Sequence, residues 1–163
     1  MDARGIRFCT TNGAIVGYEL MVGFPPDEND QKAKSNETRY TGKETEECTE
    51  YLVPDDAFVS QLTFHYLQGA DFTKMIGAKL DVTQVNNAKS ITSQEFGDVG
   101  SLNVETFTFE KNSRLVGTVT NESSNQDIWR VVPLKGKAEC VPSDYYTKYE
   151  SMTPPIKLIE DES

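Results

Sequence analysis

Apolar and polar residues alternate with a period of two along most of this sequence, and this pattern constrains the fold more than any other feature. Such alternation predicts strands whose side chains point in turn into a core and into solvent. It is clearest in the segments 58–67, 75–82 and 106–110. Turn sequences such as Asn12-Gly13 separate the strands. No window of twelve residues carries an apolar stripe at helical spacing, so the sequence predicts an all-β fold of the sandwich, barrel or prism type.

The same alternation predicts the core. The residues expected to be buried are Val16, Tyr18, Leu20, Leu62, Phe64, Leu80, Phe107, Phe109, Leu115 and Val132. In the last strand, the pattern places Val132 and Leu134 on the inward face and Val131 on the outward face. A chain of 163 residues is long enough to bury one core of this kind.

Two polar segments lie outside the strand pattern. The segment 24–47 is predicted to be a long polar insertion loop within a single domain that spans residues 1–134, and residues 135–163 form a C-terminal extension. The extension carries aromatic and apolar residues of the kind that protein interfaces favour: Tyr145, Tyr146, Tyr149, Ile156 and Leu158. We expect it to dock on a neighbouring subunit or protein partner of a multi-subunit assembly, or to fold back over its own domain.

Charge and cysteine content indicate the partners and the compartment. The formal net charge of −10 disfavours nucleic-acid binding, which depends on clustered Lys and Arg residues. No apolar stretch is long enough to insert into a membrane, and the first residues do not resemble a signal peptide. Cys9, Cys48 and Cys140 are odd in number and widely spaced, which predicts reduced thiols and a cytoplasmic protein. The glycosylation sequons at Asn36 and Asn121 would have no role there.

No catalytic constellation is recognisable. His65 is the only histidine, and it lies within a predicted strand. Any catalytic or metal site that requires two histidines is therefore excluded. The glycine-rich phosphate-binding motifs and the nucleophile-elbow motif are absent from the sequence. The sequence therefore predicts a protein that is not an enzyme and that requires no cofactor or metal.

Several short motifs occur in a characteristic order along the chain. They are Tyr51-Leu52-Val53-Pro54-Asp55-Asp56, Val59-Ser60-Gln61-Leu62-Thr63-Phe64, Glu95-Phe96-Gly97, Leu115-Val116-Gly117 and Asp127-Ile128. In these motifs and in the spacing from Gly117 to Asp127, the stretch 50–134 resembles the jacalin-like lectins. The segment 6–22 is similar to an early hairpin of that family. The resemblance covers roughly two thirds of the chain.

The resemblance implies a β-prism of three Greek-key sheets. In the family, sugar lies between an N-terminal glycine-rich loop and a Gly-x-x-x-Asp loop. Here Asp127 matches the aspartate, Ser123 replaces the glycine, and no residues match the N-terminal glycine pair. Asn125 and Gln126 could donate hydrogen bonds to a ligand. Alternatively, Asp127 caps the turn before the last strand by accepting local backbone N–H groups.

Two functions remain open on the sequence alone. The first is a non-enzymatic interaction or structural protein that uses the jacalin-like β-prism as a scaffold within a larger assembly. The alternative is a carbohydrate-binding lectin whose sugar site lies around the Ser123–Asp127 loop. The expected partners are accordingly proteins or a glycan.

Overall fold

The computed structural model describes the backbone of residues 2–24 and 34–137, and the side chains of residues 2–23 and 41–137. The described chain is all β and contains no helix. Its strands are β1 (Asp2–Thr11), β2 (Ala14–Phe24), β3 (Lys34–Gly42), β4 (Cys48–Leu52), β5 (Ala57–Gln68), β6 (Thr73–Gln84), β7 (Ser90–Gly97), β8 (Asn103–Thr108), β9 (Arg114–Glu122) and β10 (Ile128–Gly136).

The two larger sheets share one topology. Their strand orders are β3-β2-β1-β4 and β7-β6-β5-β8, and every neighbouring pair is antiparallel. In each sheet, three consecutive strands pair as a meander and the fourth returns beside the first, which defines a Greek key. Within the described residues, the third sheet is the two-stranded hairpin of β9 and β10. Three sheets therefore surround the core, as predicted for a β-prism.

Side chains from all three sheets meet in that core. The rings of Phe8 in β1 and Phe96 in β7 are 4.6 Å apart and join the two Greek keys. The Tyr18 hydroxyl of β2 lies 2.6 Å from the hydroxyl of Thr118 and also 2.6 Å from that of Thr120, both in β9. The third sheet is thus fastened to the first by hydrogen bonds as well as by apolar packing.

Most of the predicted core is confirmed. The predicted residues that are buried are Tyr18, Leu20, Leu62, Phe64, Leu80, Phe109 and Leu115. Phe107 is partly buried and packs against this cluster, with its ring 6.1 Å from that of Phe64. Val16 and Val132 are partly exposed, and their neighbours Ile15 and Val131 are buried instead.

Beyond Trp129, the faces predicted for β10 are wrong because the strand contains a β-bulge. The register of β9 and β10 shifts between Ile128 and Arg130, so Trp129 has no partner across the sheet. One extra residue reverses the side-chain alternation beyond it. Val131 is consequently fully buried, whereas Leu134 is 44% exposed. A period-two pattern cannot reveal such an insertion.

The insertion predicted at 24–47 is not a loop throughout. Residues Lys34–Gly42 form β3, which pairs with β2 at one edge of the first sheet. Pairing uses backbone hydrogen bonds and requires no apolar side chain, and charged sequences are common on edge strands. At the other end of the domain, β10 extends to Gly136, two residues beyond the predicted boundary at residue 134.

The prediction that Cys9 and Cys48 are reduced is wrong. The two residues face each other across β1 and β4, and their sulfur atoms are joined in a disulfide. They lie 39 residues apart in sequence, and only the strand register brings them together. Cys140 lies outside the described residues. The sequence spacing alone therefore gave no indication of the bond.

A buried ionic cluster joins the beginning of β1 to the beginning of β9. One carboxylate oxygen of Asp2 lies 2.7 Å from Arg4 Nη2 and 3.2 Å from Arg114 Nη1. Arg4 also donates to the carbonyl of Ala57, and Arg114 to that of Lys111, each at 2.9 Å. The three charged residues are at most 8% exposed. Their mutual pairing is what makes the burial of these charges tolerable.

Candidate functional site

The β9–β10 connection is a compact turn held by Ser123. The Ser123 Oγ accepts hydrogen bonds from the backbone N–H groups of Asn125 (3.3 Å) and Asp127 (3.2 Å). Ser123 N–H donates to the Asp127 carbonyl, and Gln126 N–H donates to the Ser123 carbonyl, each at 2.9 Å. Gln126 adopts a left-handed conformation with φ of 66°. The serine side chain therefore performs the local capping that was the alternative role predicted for Asp127.

The Asp127 side chain leaves this turn and lines a surface hollow of about 290 Å³, which we call the Asp127 hollow. The hollow lies between the β1–β2 turn, the beginning of β6 and the beginning of β10. Its lining residues are Thr11, Asn12, Ala14, Ile15, Val16, Lys74, Met75, Asp127 and Ile128. Three of them, Ile15, Met75 and Ile128, are at most 3% exposed and form an apolar floor. Thr11, Asn12, Lys74 and Asp127 supply polar groups at the rim.

The Asp127 carboxylate is accessible and only weakly engaged. Its Oδ1 lies 3.6 Å from Lys43 Nζ, and the two side chains are 40% and 45% exposed. An ion pair with this exposure contributes little and is easily exchanged for another partner. Asp127 can therefore accept hydrogen bonds from a ligand hydroxyl.

The end of β3 places Lys43 beside Asp127. Gly42 has a φ of +85°, and a Cβ at this position would lie 2.5 Å from the Val16 carbonyl oxygen, so only glycine fits. Gly42 N–H donates to Glu122 Oε1 at 3.0 Å, and Lys43 N–H donates to the Val16 carbonyl at 2.9 Å. These bonds fasten the β3–β4 connection to β2 and to the end of β9.

The four predicted sugar-site residues are neighbours in the turn but do not share one cavity. Asp127 lines the Asp127 hollow. Gln126 lines a different groove of about 720 Å³, between β2, the end of β3 and β9. Ser123 and Asn125 line neither cavity, and the hydrogen bonds of Ser123 assign it a role in shaping the turn. The predicted partner-binding residues Tyr145, Tyr146, Tyr149, Ile156 and Leu158 lie outside the described residues.

A third surface cavity, of about 470 Å³, is bordered by exposed apolar side chains. Leu102 is 96% exposed, Val104 46% and Trp129 43%, and all three line it. An ion pair between Arg130 and Glu105, 3.4 Å apart, lies at the same cavity. We call Leu102, Val104 and Trp129 the apolar rim. Exposed apolar groups that cluster in this way are typical of contact surfaces.

Two titratable side chains near these cavities have structural partners. His65 Nδ1–H donates to the Ser101 carbonyl at 3.1 Å. The Tyr66 hydroxyl accepts from Val131 N–H at 3.2 Å, and burial raises the pKa of Tyr66 to about 12.

Among the described residues, no group of three or more His, Cys, Asp or Glu side chains is arranged to hold a metal ion. Nor does any helix in that part of the chain have the length and apolar character needed to span a membrane.

The fold is that of the jacalin-like lectins, as the sequence resemblance implied. The structure is similar to Calystegia sepium agglutinin, with a TM-score of 0.57 and 8% identity over 84% of this chain and 83% of that one. It is also similar to jacalin in complex with T-antigen, with a TM-score of 0.56 and 9% identity over 83% of this chain and 92% of jacalin. For Malaysian banana lectin the TM-score is 0.58 and the identity 12%, over 83% of this chain and 84% of the lectin.

At these identities the similarity defines the fold and no more. No protein-family model matches the sequence, and no curated protein matches it. Sequence reasoning found Asp127 but missed Asn12, Lys43 and Lys74 as its neighbours. Asn12 was recognised only as a turn residue, and the two lysines carried no motif.

Proposed function

We propose that this chain is a carbohydrate-binding lectin and that sugar binds in the Asp127 hollow. The observation that carries the proposal is an accessible, weakly paired carboxylate at the rim of a hollow in a β-prism whose structural relatives are lectins. We propose no catalytic activity, because sugar recognition of this kind needs only hydrogen-bond acceptors, donors and an apolar surface.

The chemistry of the hollow suits a single sugar residue. A carboxylate accepts hydrogen bonds from adjacent sugar hydroxyls and is a stronger acceptor than a neutral group. Asn12 and Lys74 also line the hollow, and their amide and ammonium groups add hydrogen-bond donors. The floor of Ile15 and Met75 offers an apolar surface to the C–H groups of a sugar ring. Small-molecule sites commonly combine an apolar lining with a few polar groups in this way.

The test is a glycan array on the full chain, followed by calorimetry with the best ligand. Loss of a hydrogen bond to a charged group costs about 1.5–3 kcal/mol, so Asp127→Ala should weaken binding roughly 10- to 150-fold. The matched control is Asp55→Ala, because Asp55 is exposed in the turn before β5, at the other end of the β5–β6 hairpin from Lys74. The control variant should bind like the unmodified chain.

Two results would contradict the proposal. One is the absence of binding to any glycan at millimolar concentration by a correctly folded sample. The other is full sugar binding by Asp127→Ala, which would relocate the site. Sugar binding by Gln126→Ala then shows which of the two neighbouring cavities holds the sugar, since Gln126 lines the larger groove and not the Asp127 hollow.

The second candidate function is the interaction scaffold predicted from the sequence. The observation that favours it is the apolar rim, in which Leu102 is 96% exposed. In this proposal, Tyr145, Tyr146, Tyr149, Ile156 and Leu158 of the C-terminal extension contact a protein partner in a larger assembly. Deletion of residues 143–163 should leave the melting temperature nearly unchanged and abolish co-purification with that partner. A much lower melting temperature, or unchanged co-purification, would contradict it.

The disulfide bears on the compartment in which either function operates. Disulfides persist in oxidising compartments and are rare in the reducing cytosol. A cytoplasmic location stays a prediction from the sequence, and the Cys9–Cys48 bond weighs against it. We propose that the chain matures in an oxidising compartment.

A further inference from the structure

The disulfide changes the meaning of a motif that has no role in a reducing compartment. Cys9 is fully buried and bonded to Cys48, so the bond belongs to the folded core of the first sheet. In eukaryotic cells, the oxidising compartment in which such bonds form also contains the enzymes that glycosylate Asn-x-Ser/Thr sequons. The sequence contains two of these sequons, at Asn36 and Asn121. Of the two, only Asn121 has a described side chain.

The structure presents Asn121 in a position that can carry a large modification. Asn121 is exposed near the end of β9 and lies opposite Arg130 of β10, whose side chain is 52% exposed. Alternate residues of a strand share a face, so Asn121 projects outward together with Val119. A substituent on the amide nitrogen therefore extends into solvent and displaces no packed group.

We propose that Asn121 is an N-glycosylation site. In the reaction, a bond forms between Asn121 Nδ2 and the anomeric carbon of an oligosaccharide, and the bond from that carbon to the oxygen of a lipid pyrophosphate carrier breaks. The carrier leaves as the lipid pyrophosphate, and the amide nitrogen loses one proton to a base of the transferase. The donor is thus a lipid-linked oligosaccharide, and no oxidant or reductant is consumed.

The structure also indicates when the transfer occurs. The sequon hydroxyl belongs to Ser123, which in the folded chain holds the β9–β10 turn by accepting from Asn125 and Asp127. Recognition of an Asn-x-Ser sequon requires that hydroxyl and an accessible chain. Transfer therefore precedes formation of this turn, and the glycan is already attached when β9 and β10 pair.

A glycan on Asn121 covers a surface that is otherwise unusually apolar for an outward sheet face. Val119 is 51% exposed, Leu134 is 44% exposed, and Val132 pairs directly with Val119. These side chains lie on the same face of the hairpin as Asn121, on the side away from Tyr18. A hydrophilic oligosaccharide at the end of that face shields it from contact with other chains.

The first experiment uses the native protein purified from the cells that make it. Digestion with trypsin cuts after Arg114 and Arg130 and releases one peptide that contains Asn121. Treatment with peptide-N-glycosidase in heavy-oxygen water should convert Asn121, and not Asn125 in the same peptide, to heavy-oxygen-labelled aspartate. A parallel non-reducing digest should contain the peptides of Cys9 and Cys48 joined. An unmodified Asn121 peptide at full abundance, or free Cys9 and Cys48, would overturn the proposal.

The second experiment expresses the full chain through the secretory pathway of a eukaryotic cell and compares three variants. Asn121→Gln removes only the acceptor, and Ser123→Ala removes the sequon hydroxyl, so both should lose one glycan by intact mass. Ser123→Thr preserves the sequon and should keep it. Any glycan on Asn36 stays in all three and serves as an internal reference. Identical glycan content in Asn121→Gln and the unmodified chain would refute the assignment of Asn121.

Discussion

Removal of the Asp2 carboxylate should destabilise the protein more than any exposed charge substitution. Asp2 is 1% exposed, and one of its oxygens lies 2.7 Å from Arg4 and 3.2 Å from Arg114. Asp2→Ala leaves two guanidinium groups, 5% and 8% exposed as residues, without their counter-charge. Breaking a buried pair in this way costs about 3–5 kcal/mol. The carbonyls of Ala57 and Lys111 still accept hydrogen bonds from the two arginines. The loss of stability therefore measures the missing charge more than missing hydrogen bonds.

Urea denaturation followed by circular dichroism measures this loss. For a typical slope near 2 kcal/mol/M, the midpoint should fall by roughly 1.5–2.5 M. Asp2→Asn keeps the shape of the side chain but not its charge, and its urea midpoint should fall nearly as far. The control is Glu44→Ala, because Glu44 pairs with Arg7 at 3.0 Å but its side chain is 63% exposed. Such a pair contributes at most about 1 kcal/mol. Equal effects of Asp2→Ala and Glu44→Ala would refute the argument.

Three further predictions concern stability. Phe64 is 1% exposed whereas Phe107 is only partly buried, so Phe64→Ala should cost about 3–5 kcal/mol in urea denaturation and Phe107→Ala less; equal costs would show that the two rings are buried alike. Replacement of Cys9 and Cys48 by serine should lower stability by about 2–4 kcal/mol, and an unchanged thermal midpoint would contradict the disulfide. Because burial raises the pKa of Tyr66 from 10.0 to about 12, the unfolded chain loses the phenolic proton first. Stability should therefore fall by about 1.4 kcal/mol per pH unit between these values, and a slope that persists in Tyr66→Phe would exclude Tyr66 as its source.

The faces of single strands were predictable wherever the pairing is regular. In β6, Ala78, Leu80 and Val82 are buried and Lys79 and Asp81 are partly exposed, as the alternation predicted, and these residues pair with β7 in an unbroken register. The prediction failed in β10 because the bulge at Trp129 adds one residue to one strand only. A bulge is a property of two paired strands, and the residues of one strand do not encode it in their hydrophobic pattern.

The sequence predicted one residue of the candidate site, Asp127, but not the position of the site in the fold. Asp127 was identified from a motif resemblance, but its surroundings combine the β1–β2 turn, the beginning of β6 and Lys43. Lys74 lies 53 residues before Asp127 in the chain and Asn12 lies 115 residues before it. The contacts between these segments follow from the packing of three sheets. The disulfide was missed for the same reason, since Cys9 and Cys48 meet only through the register of β1 and β4.

The bonds that join the third sheet to the first have a consequence for the speed of folding. Arg114 binds Asp2 across 112 positions of the chain, and Thr118 lies against Tyr18 across 100. Within each Greek key, in contrast, paired residues are at most 47 positions apart, as for Gly5 and Leu52 or Gln61 and Thr108. Contacts between distant positions require closure of long loops, and proteins dominated by them fold on the millisecond to second timescale. The topology therefore predicts that the two Greek keys form early and that docking of the β9–β10 hairpin limits the folding rate. In kinetic terms, substitutions at Thr118 should slow the late docking phase of folding while leaving the early phase unchanged.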